Sequence, residues 1–156
     1  MLNIVLVEPE IPPNTGNIGR LCLATGSHLH LVGPLGFSLD DRALRRAGLD
    51  YWHLVKVSQW RDLQELRDSA PPGARFWYLT TKSKKPYWAE NFQAGDYLVF
   101  GRETKGLPEP LLEANRERLL TIPMQSDSTR SLNLATAVGI VLYEAVRQLS
   151  SDPDPA

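Results

Sequence analysis

Apolar residues in this chain fall into short continuous runs, separated by stretches in which they recur at helical spacing. Leu2–Val7 is a compact apolar run and predicts a strand. A proline-rich loop follows and opens into a helix predicted over Thr15–Gly26. His28–Val32 alternates and predicts a second strand, ended by the turn at Gly33-Pro34. Leu39–Ala47 reads as a short basic helix, Leu54–Val57 as a strand, and Gln59–Asp68 as a helix capped by Ser58. Arg75–Thr80 and Asp96–Phe100 predict two more strands, with a lysine-rich loop at Thr81–Trp88 between them. Pro108–Asn115 reads as a short helix with its proline near the start. Leu119–Ile122 is an apolar run that stops at Pro123, where a ladder donor is lost. Met124–Arg130 is polar and turn-prone, and from Ser131, the predicted N-cap, a long helix runs to Leu149.

Strands alternating with helices predict one α/β domain over residues 1–149, with a mostly parallel sheet flanked by helices. Residues 150–156 form a polar, proline-bearing tail expected to be disordered. The last helix is apolar on two sides. One stripe is Leu132, Ala135, Gly139, Leu142, Val146 and Leu149; the other is Leu134, Val138, Val141 and Ala145. A surface helix needs one such stripe, so the second must be covered by something else. In so short a chain a twin subunit is the expected cover, and a helix central to its own domain is the alternative.

Composition narrows the picture. The 156 residues suffice for one proper core, and apolar content is ordinary. Leu132–Tyr143 is too short and too interrupted to span a bilayer, and the amino terminus predicts no secretory signal. The single cysteine, Cys22, excludes an internal disulfide, fits a reducing cytoplasm and reads as a buried structural thiol. His28 and His30 share a strand face without a third ligand at suitable spacing, so they read as surface or interface histidines and no metal site is expected. A net charge of −1 gives no overall basic field. Any nucleic-acid partner must be held locally, and two basic clusters are available: Arg42, Arg45 and Arg46, and Lys82, Lys84 and Lys85.

Chemistry concentrates in loops that follow strands, which a parallel sheet gathers along one edge. The loop after Val7 brings Asn14 and Arg20; the loop after Phe100 carries Gly101, Glu103 and Gly106; the loop after Ile122 carries Met124, Ser126, Ser128 and Ser131. Glycines allow close backbone approach, and serines at a helix start can meet a ligand. No serine or cysteine triad, paired-carboxylate hydrolase or dinucleotide and P-loop fingerprint is present.

These residues also carry a resemblance. Asn14-Thr15-Gly16-Asn17-Ile18-Gly19-Arg20, Phe100-Gly101-Arg102-Glu103-Thr104-Lys105-Gly106-Leu107, and Ile122-Pro123-Met124 with Ser131-Leu132-Asn133-Leu134-Ala135 resemble the three motifs of the SPOUT RNA methyltransferases. Arg42–Tyr51 between them adds to the likeness, which covers roughly residues 1–149 and points to the small single-domain type. The resemblance implies a carboxyl-terminal trefoil knot and a homodimer formed through the last helix. It implies S-adenosylmethionine as cofactor, S-adenosylhomocysteine as product, and 2′-O-methylation of the wobble cytidine or uridine in the anticodon stem-loop of tRNA. Cofactor contacts would fall on Leu79, Gly101, Glu103, Ile122, Met124, Ser131 and Leu132, and catalytic roles on Arg20 and Asn133. Arg20, Arg42, Arg45, Arg46 and Lys82 would grip the RNA, with Arg20 reaching the neighbouring subunit's site. A SPOUT enzyme for another nucleotide, a non-catalytic knotted RNA-binding module and a generic nucleotide-binding protein are the alternatives.

A guanidinium is a poor base in its usual protonated state, so the implied role of Arg20 divides in two. Deprotonating it at neutral pH costs several kcal/mol, which favours a charged group that positions the phosphate and stabilises the developing alkoxide. A partly neutralised arginine assisted by the RNA phosphate is the other reading.

Overall fold

The computed structural model describes residues 1–125 and 131–150. Six strands, β1 (Asn3–Val7), β2 (His28–Val32), β3 (Val57–Trp60), β4 (Phe76–Leu79), β5 (Tyr97–Phe100) and β6 (Leu119–Leu120), form one sheet in the order β3-β2-β1-β5-β4-β6. Every ladder is parallel. Five α-helices, α1 (Pro12–Thr25), α2 (Arg42–Gly48), α3 (Leu63–Ser69), α4 (Glu109–Ala114) and α5 (Leu134–Leu149), supply the crossovers and the covering layers. Because both faces are covered, β1 is buried at every position. Ile4 and Leu6 join the core under α1, α2 and α5, while Val5 and Val7 join the core under α3 and α4.

Several boundaries differ from the sequence reading. The segment at Gln59 and Trp60 is strand, not helix, because Val57–Trp60 pairs with Leu29–Val32 and tertiary pairing outweighs local periodicity. Helix α3 therefore starts later, capped by Asp62 rather than Ser58. Its carboxylate accepts from the Glu65 amide at 2.8 Å while Glu65 accepts from the Arg61 amide at 3.1 Å. Residues 49–54 form a 3₁₀ segment where a strand was expected to begin. Strand β6 is only Leu119–Leu120, and beyond it Thr121 bridges Pro86. Asn133, not Ser131, caps α5, accepting from the Thr136 amide at 3.1 Å. Ser126 and Ser128, named in the sequence reading, and the tail from residue 151 on lie outside the described residues.

On α5 the stripe Leu134, Val138, Val141 and Ala145 is buried throughout. Of the other stripe only Leu142 is buried; Ala135, Gly139 and Val146 are half-buried and Leu149 is 38 % exposed. Helix α1 lies alongside: a Cβ on Gly139 would sit 3.6 Å from Leu21. On α1 itself Ile18 and Cys22 are buried and Asn17, Arg20 and Ala24 are exposed. Burial pushes the Cys22 thiol up to about 12, the state of an inert core group. Gly19 is required sterically, because a Cβ there would lie 2.6 Å from the Trp52 ring.

His30 corrects the surface reading: it is 3 % exposed. The Trp60 indole donates to its Nδ1 at 3.0 Å, which leaves Nε2 to carry the proton and donate to the Asn3 side-chain oxygen at 2.9 Å. Asn3 in turn donates to the Gly95 carbonyl at 3.1 Å, so one neutral imidazole ties β1, β2, β3 and the turn before β5. Its ring stacks on His28 at 3.9 Å. Burial first, then the nearby His28 and Lys56, holds His30 down at about 3.

The unfolded chain protonates this histidine below its ordinary value near 6.5, whereas the folded chain does so only near 3. Stability is thus complete above pH 6.5 and lost as pH falls towards 3. Urea unfolding is expected to show about 2 kcal/mol lost between pH 7 and pH 5 from this group. His30→Gln should be less stable at pH 7 but should decline less over that interval.

Candidate active site

The site forms where the strand order reverses, at the carboxyl ends of the adjacent strands β1 and β5. Helix α1 begins with Pro12 and Pro13 and has no side-chain cap of its own. Glu103, from the loop after β5, supplies the acceptor instead. One carboxylate oxygen accepts from the Glu10 amide at 2.9 Å, and the other accepts from the Ile11 amide at 2.7 Å and from the Asn14 side chain at 3.3 Å. A carboxylate at a helix amino end is favoured both by the orphan amides and by the helix dipole. Its neighbours repeat the grip. Arg102 pairs with Glu8 at 2.8 Å, and the Thr104 amide and hydroxyl donate to Glu10 at 3.1 and 2.8 Å. Those bonds pull the Glu10 carboxyl below its ordinary range. Glu8 holds a left-handed φ of 52°, a strained backbone at the bend between β1 and the loop.

The last helix joins the same network. The Asn133 side-chain amide donates to the Asn14 side-chain oxygen at 3.2 Å while its own oxygen caps α5. A line of hydrogen bonds therefore runs Glu103, Asn14, Asn133, linking the β5 loop to the starts of both long helices.

Beside this line lies a cavity of about 230 Å³. Its walls come from the loops after β4, β5 and β6 and from the start of α5. Leu79, Gly101, Glu103, Ile122, Met124, Ser131 and Leu132 all line it, as does Lys82. Phe100 and Leu134, which the sequence reading quoted only within the motifs, line it as well, as do Thr80, Thr81, Thr121 and Ala137, which escaped that reading. The β5 loop is closed by reciprocal backbone bonds between Arg102 and Gly106, at 3.3 and 2.9 Å. A Cβ on Gly101 would lie 2.2 Å from the Gly106 carbonyl carbon, so only glycine permits this closure. Apolar walls from Leu79, Ile122, Leu132 and Leu134, with backbone amides and carbonyls along the rim, suit an adenosine-bearing ligand. Among the described residues no group of histidine, cysteine and carboxylate side chains could hold a metal.

Arg20 and Asn133 stand differently. Asn133 does not line the cavity but stands between Leu132 and Leu134, which do, and bonds Asn14, whereas Arg20 is exposed on α1 and does not line the cavity of its own chain. Arg42, Arg45 and Arg46 lie exposed on α2, with Arg45 paired to Asp40 at 3.3 Å. Lys82 pairs with Glu109 at the cavity mouth.

Residues 1–143 match the model of the SpoU rRNA Methylase family. The chain belongs to the SpoU methylase family. The tRNA (cytidine(34)-2'-O)-methyltransferase of Yersinia pestis is 55 % identical over 155 residues, covering 96 % of this chain and 94 % of that protein. A solved structure described as "Structural insights into the 2-OH methylation of C/U34 on tRNA" superposes with a TM-score of 0.92 at 45 % identity, covering 97 % of this chain and 98 % of the other. An AdoMet-bound rRNA methyltransferase from Sinorhizobium meliloti gives a TM-score of 0.83 at 26 % identity, covering 96 % of this chain and 57 % of that one. For this SpoU methylase chain, the arrangement combines a nucleoside-sized cavity with two helix starts locked beside it.

Removing the Glu103 carboxylate should loosen that lock. Glu103→Ala is expected to lower stability by about 1–3 kcal/mol in urea unfolding, since the Glu10 and Ile11 amides lose a charged acceptor. Gly101→Ala should cost at least as much and also abolish S-adenosylmethionine binding by calorimetry, because the loop cannot close around a methyl group.

Proposed function

We propose that this chain transfers a methyl group from S-adenosylmethionine to the ribose 2′-hydroxyl of the wobble nucleotide of tRNA, working as a homodimer in the cytoplasm. The observation that carries the reading is the cavity whose rim is built by the closed Gly101–Leu107 backbone and whose walls are Leu79, Ile122 and Leu132. The nearly full-length likeness to a tRNA (cytidine(34)-2'-O)-methyltransferase supports the substrate. The AdoMet-bound relative supports the cofactor. No helix among the described residues is long and apolar enough to cross a membrane.

When bound, S-adenosylmethionine supplies a sulfonium methyl that is already electrophilic. The chain's task is to hold the 2′-hydroxyl in line with that methyl and to stabilise the charge left as its proton departs. Leu79, Gly101, Ile122, Met124, Ser131 and Leu132 are the residues that would hold the adenosine and the amino-acid portion. Glu103 holds the start of α1, the helix that carries Arg20, with both oxygens, and from the cavity wall its remaining acceptor capacity can meet the cofactor's amino group. Asn133, exposed at the start of α5, is placed to bond the ribose or to orient Asn14.

Arg20 enters from a second copy. On its own chain it is exposed on α1, the helix whose Leu21 lies against Gly139, and Ala135, Gly139 and Val146 form a partly open strip on α5. Joining two such faces would cover that strip and carry each Arg20 towards the partner's cavity. There a permanently charged guanidinium can bind the phosphate and stabilise the alkoxide. Arg42, Arg45, Arg46 and Lys82 extend the basic surface for the anticodon stem-loop.

The test is methyl transfer from labelled S-adenosylmethionine to unmodified tRNA, with the product mapped to a single nucleotide. Methylation elsewhere than the wobble ribose would overturn the substrate assignment. Arg20→Ala is expected to lower kcat by about 100-fold or more while leaving the cofactor Kd unchanged. Arg20→Lys should remain well below the parent, because a point charge replaces a planar fork. Sedimentation should give twice the chain's mass.

A further inference from the structure

We propose that Tyr51 is a stacking platform for a base of the RNA substrate. This inference rests on the reading above that the substrate is an RNA whose ribose is handled by Arg20.

The 3₁₀ segment Leu49–Leu54 carries two consecutive aromatic rings with opposite fates. Trp52 is 9 % exposed and lies against Gly19, whereas Tyr51 is 49 % exposed. The close fit of the Trp52 ring on Gly19 stops the segment sliding along α1. The backbone that carries Tyr51 is thereby held against α1, the helix that also carries Arg20. With its backbone restrained, a tyrosine has only two side-chain torsions left to fix on stacking with a base.

Charge identifies the occupant. Helix α2, which runs directly into this segment, exposes Arg42 and Arg46 one turn apart. Neither makes an ion pair among the described residues, while Arg45 between them is paired with Asp40. Two exposed guanidiniums on the helix that leads into a segment bearing an exposed aromatic ring match a strand of phosphates bearing unstacked bases, and the ring accepts any base through its π-face. The chain as a whole carries a net charge of −1, so this local surface, not a general field, would select a polyanion.

Steady-state methylation and direct binding of an anticodon stem-loop RNA, at one fixed salt concentration, compare the parent with Tyr51→Ala and Tyr51→Phe. Tyr51→Ala should raise the RNA Kd and KM by about 5- to 150-fold. The Kd for S-adenosylmethionine and the sedimentation mass should stay unchanged, and Tyr51→Phe should stay close to the parent. Unaltered RNA affinity in Tyr51→Ala would overturn the proposal. So would an equal loss in Tyr51→Phe, which would assign the effect to the hydroxyl, or a fall in mass, which would assign the ring to a second copy of the chain. Should Tyr51→Ala fail to fold, Tyr51→Leu keeps apolar bulk without a π-face and is expected to show the same RNA defect. A parent protein that neither binds nor methylates the RNA would sink the functional reading itself. A parent that methylates, matched by Tyr51→Ala, sinks only the role of Tyr51.

Discussion

The arrangement of this site depends on a carboxylate lent by one crossover to the helix of another. Helix α1 starts on two prolines and without a capping side chain, so its amino end needs an acceptor from elsewhere. Glu103 provides it from the far side of the β1–β5 seam, and Arg102 and Thr104 add bonds to Glu8 and Glu10 on the same short loop. Each bond is modest alone, partly exposed and open to competition from water. Together they fix the position of α1 against the β5 loop, and everything carried on α1 inherits that position.

The cavity follows from sheet topology more than from any special side chain. In a parallel sheet each strand hands its chain to a crossover at the same edge, so loops distant in sequence become neighbours. Residues near 80, 101–107 and 121–124 meet there because β4, β5 and β6 end side by side. Backbone groups dominate such a rim, and that explains why glycine rather than an ionisable residue is the element that cannot be changed at position 101.

Much of this was legible in the linear order of residues. The apolar runs located β1, β2, β4 and β5 almost to the residue, and their alternation with helices announced a parallel sheet. The loop glycines and Glu103 marked the β5 loop as unusual. What the chain did not disclose were features decided by partners remote in sequence. Gln59 and Trp60 suit a helix by spacing, yet they pair with β2. His30 looks like one of two surface histidines, yet it is a buried crosslink because Trp60 and Asn3 arrive from two neighbouring strands. Glu103 lines the cavity, and only the fold reveals the helix end that it also serves. Ser131 lost the capping role to Asn133 because an N-cap is decided by where the first turn begins, which here is past Asn133.

Helix α5 is held at both extremities. Asn133 bonds Asn14 at the site, and at the opposite rim Gln148 accepts from the Phe92 amide at 2.8 Å and donates to the Glu90 carbonyl at 3.0 Å. A rod pinned at top and bottom can neither pivot nor lengthen by a turn. Movement needed for ligand exchange must therefore arise in the loops it overhangs, leaving the rod as the fixed post against which they open.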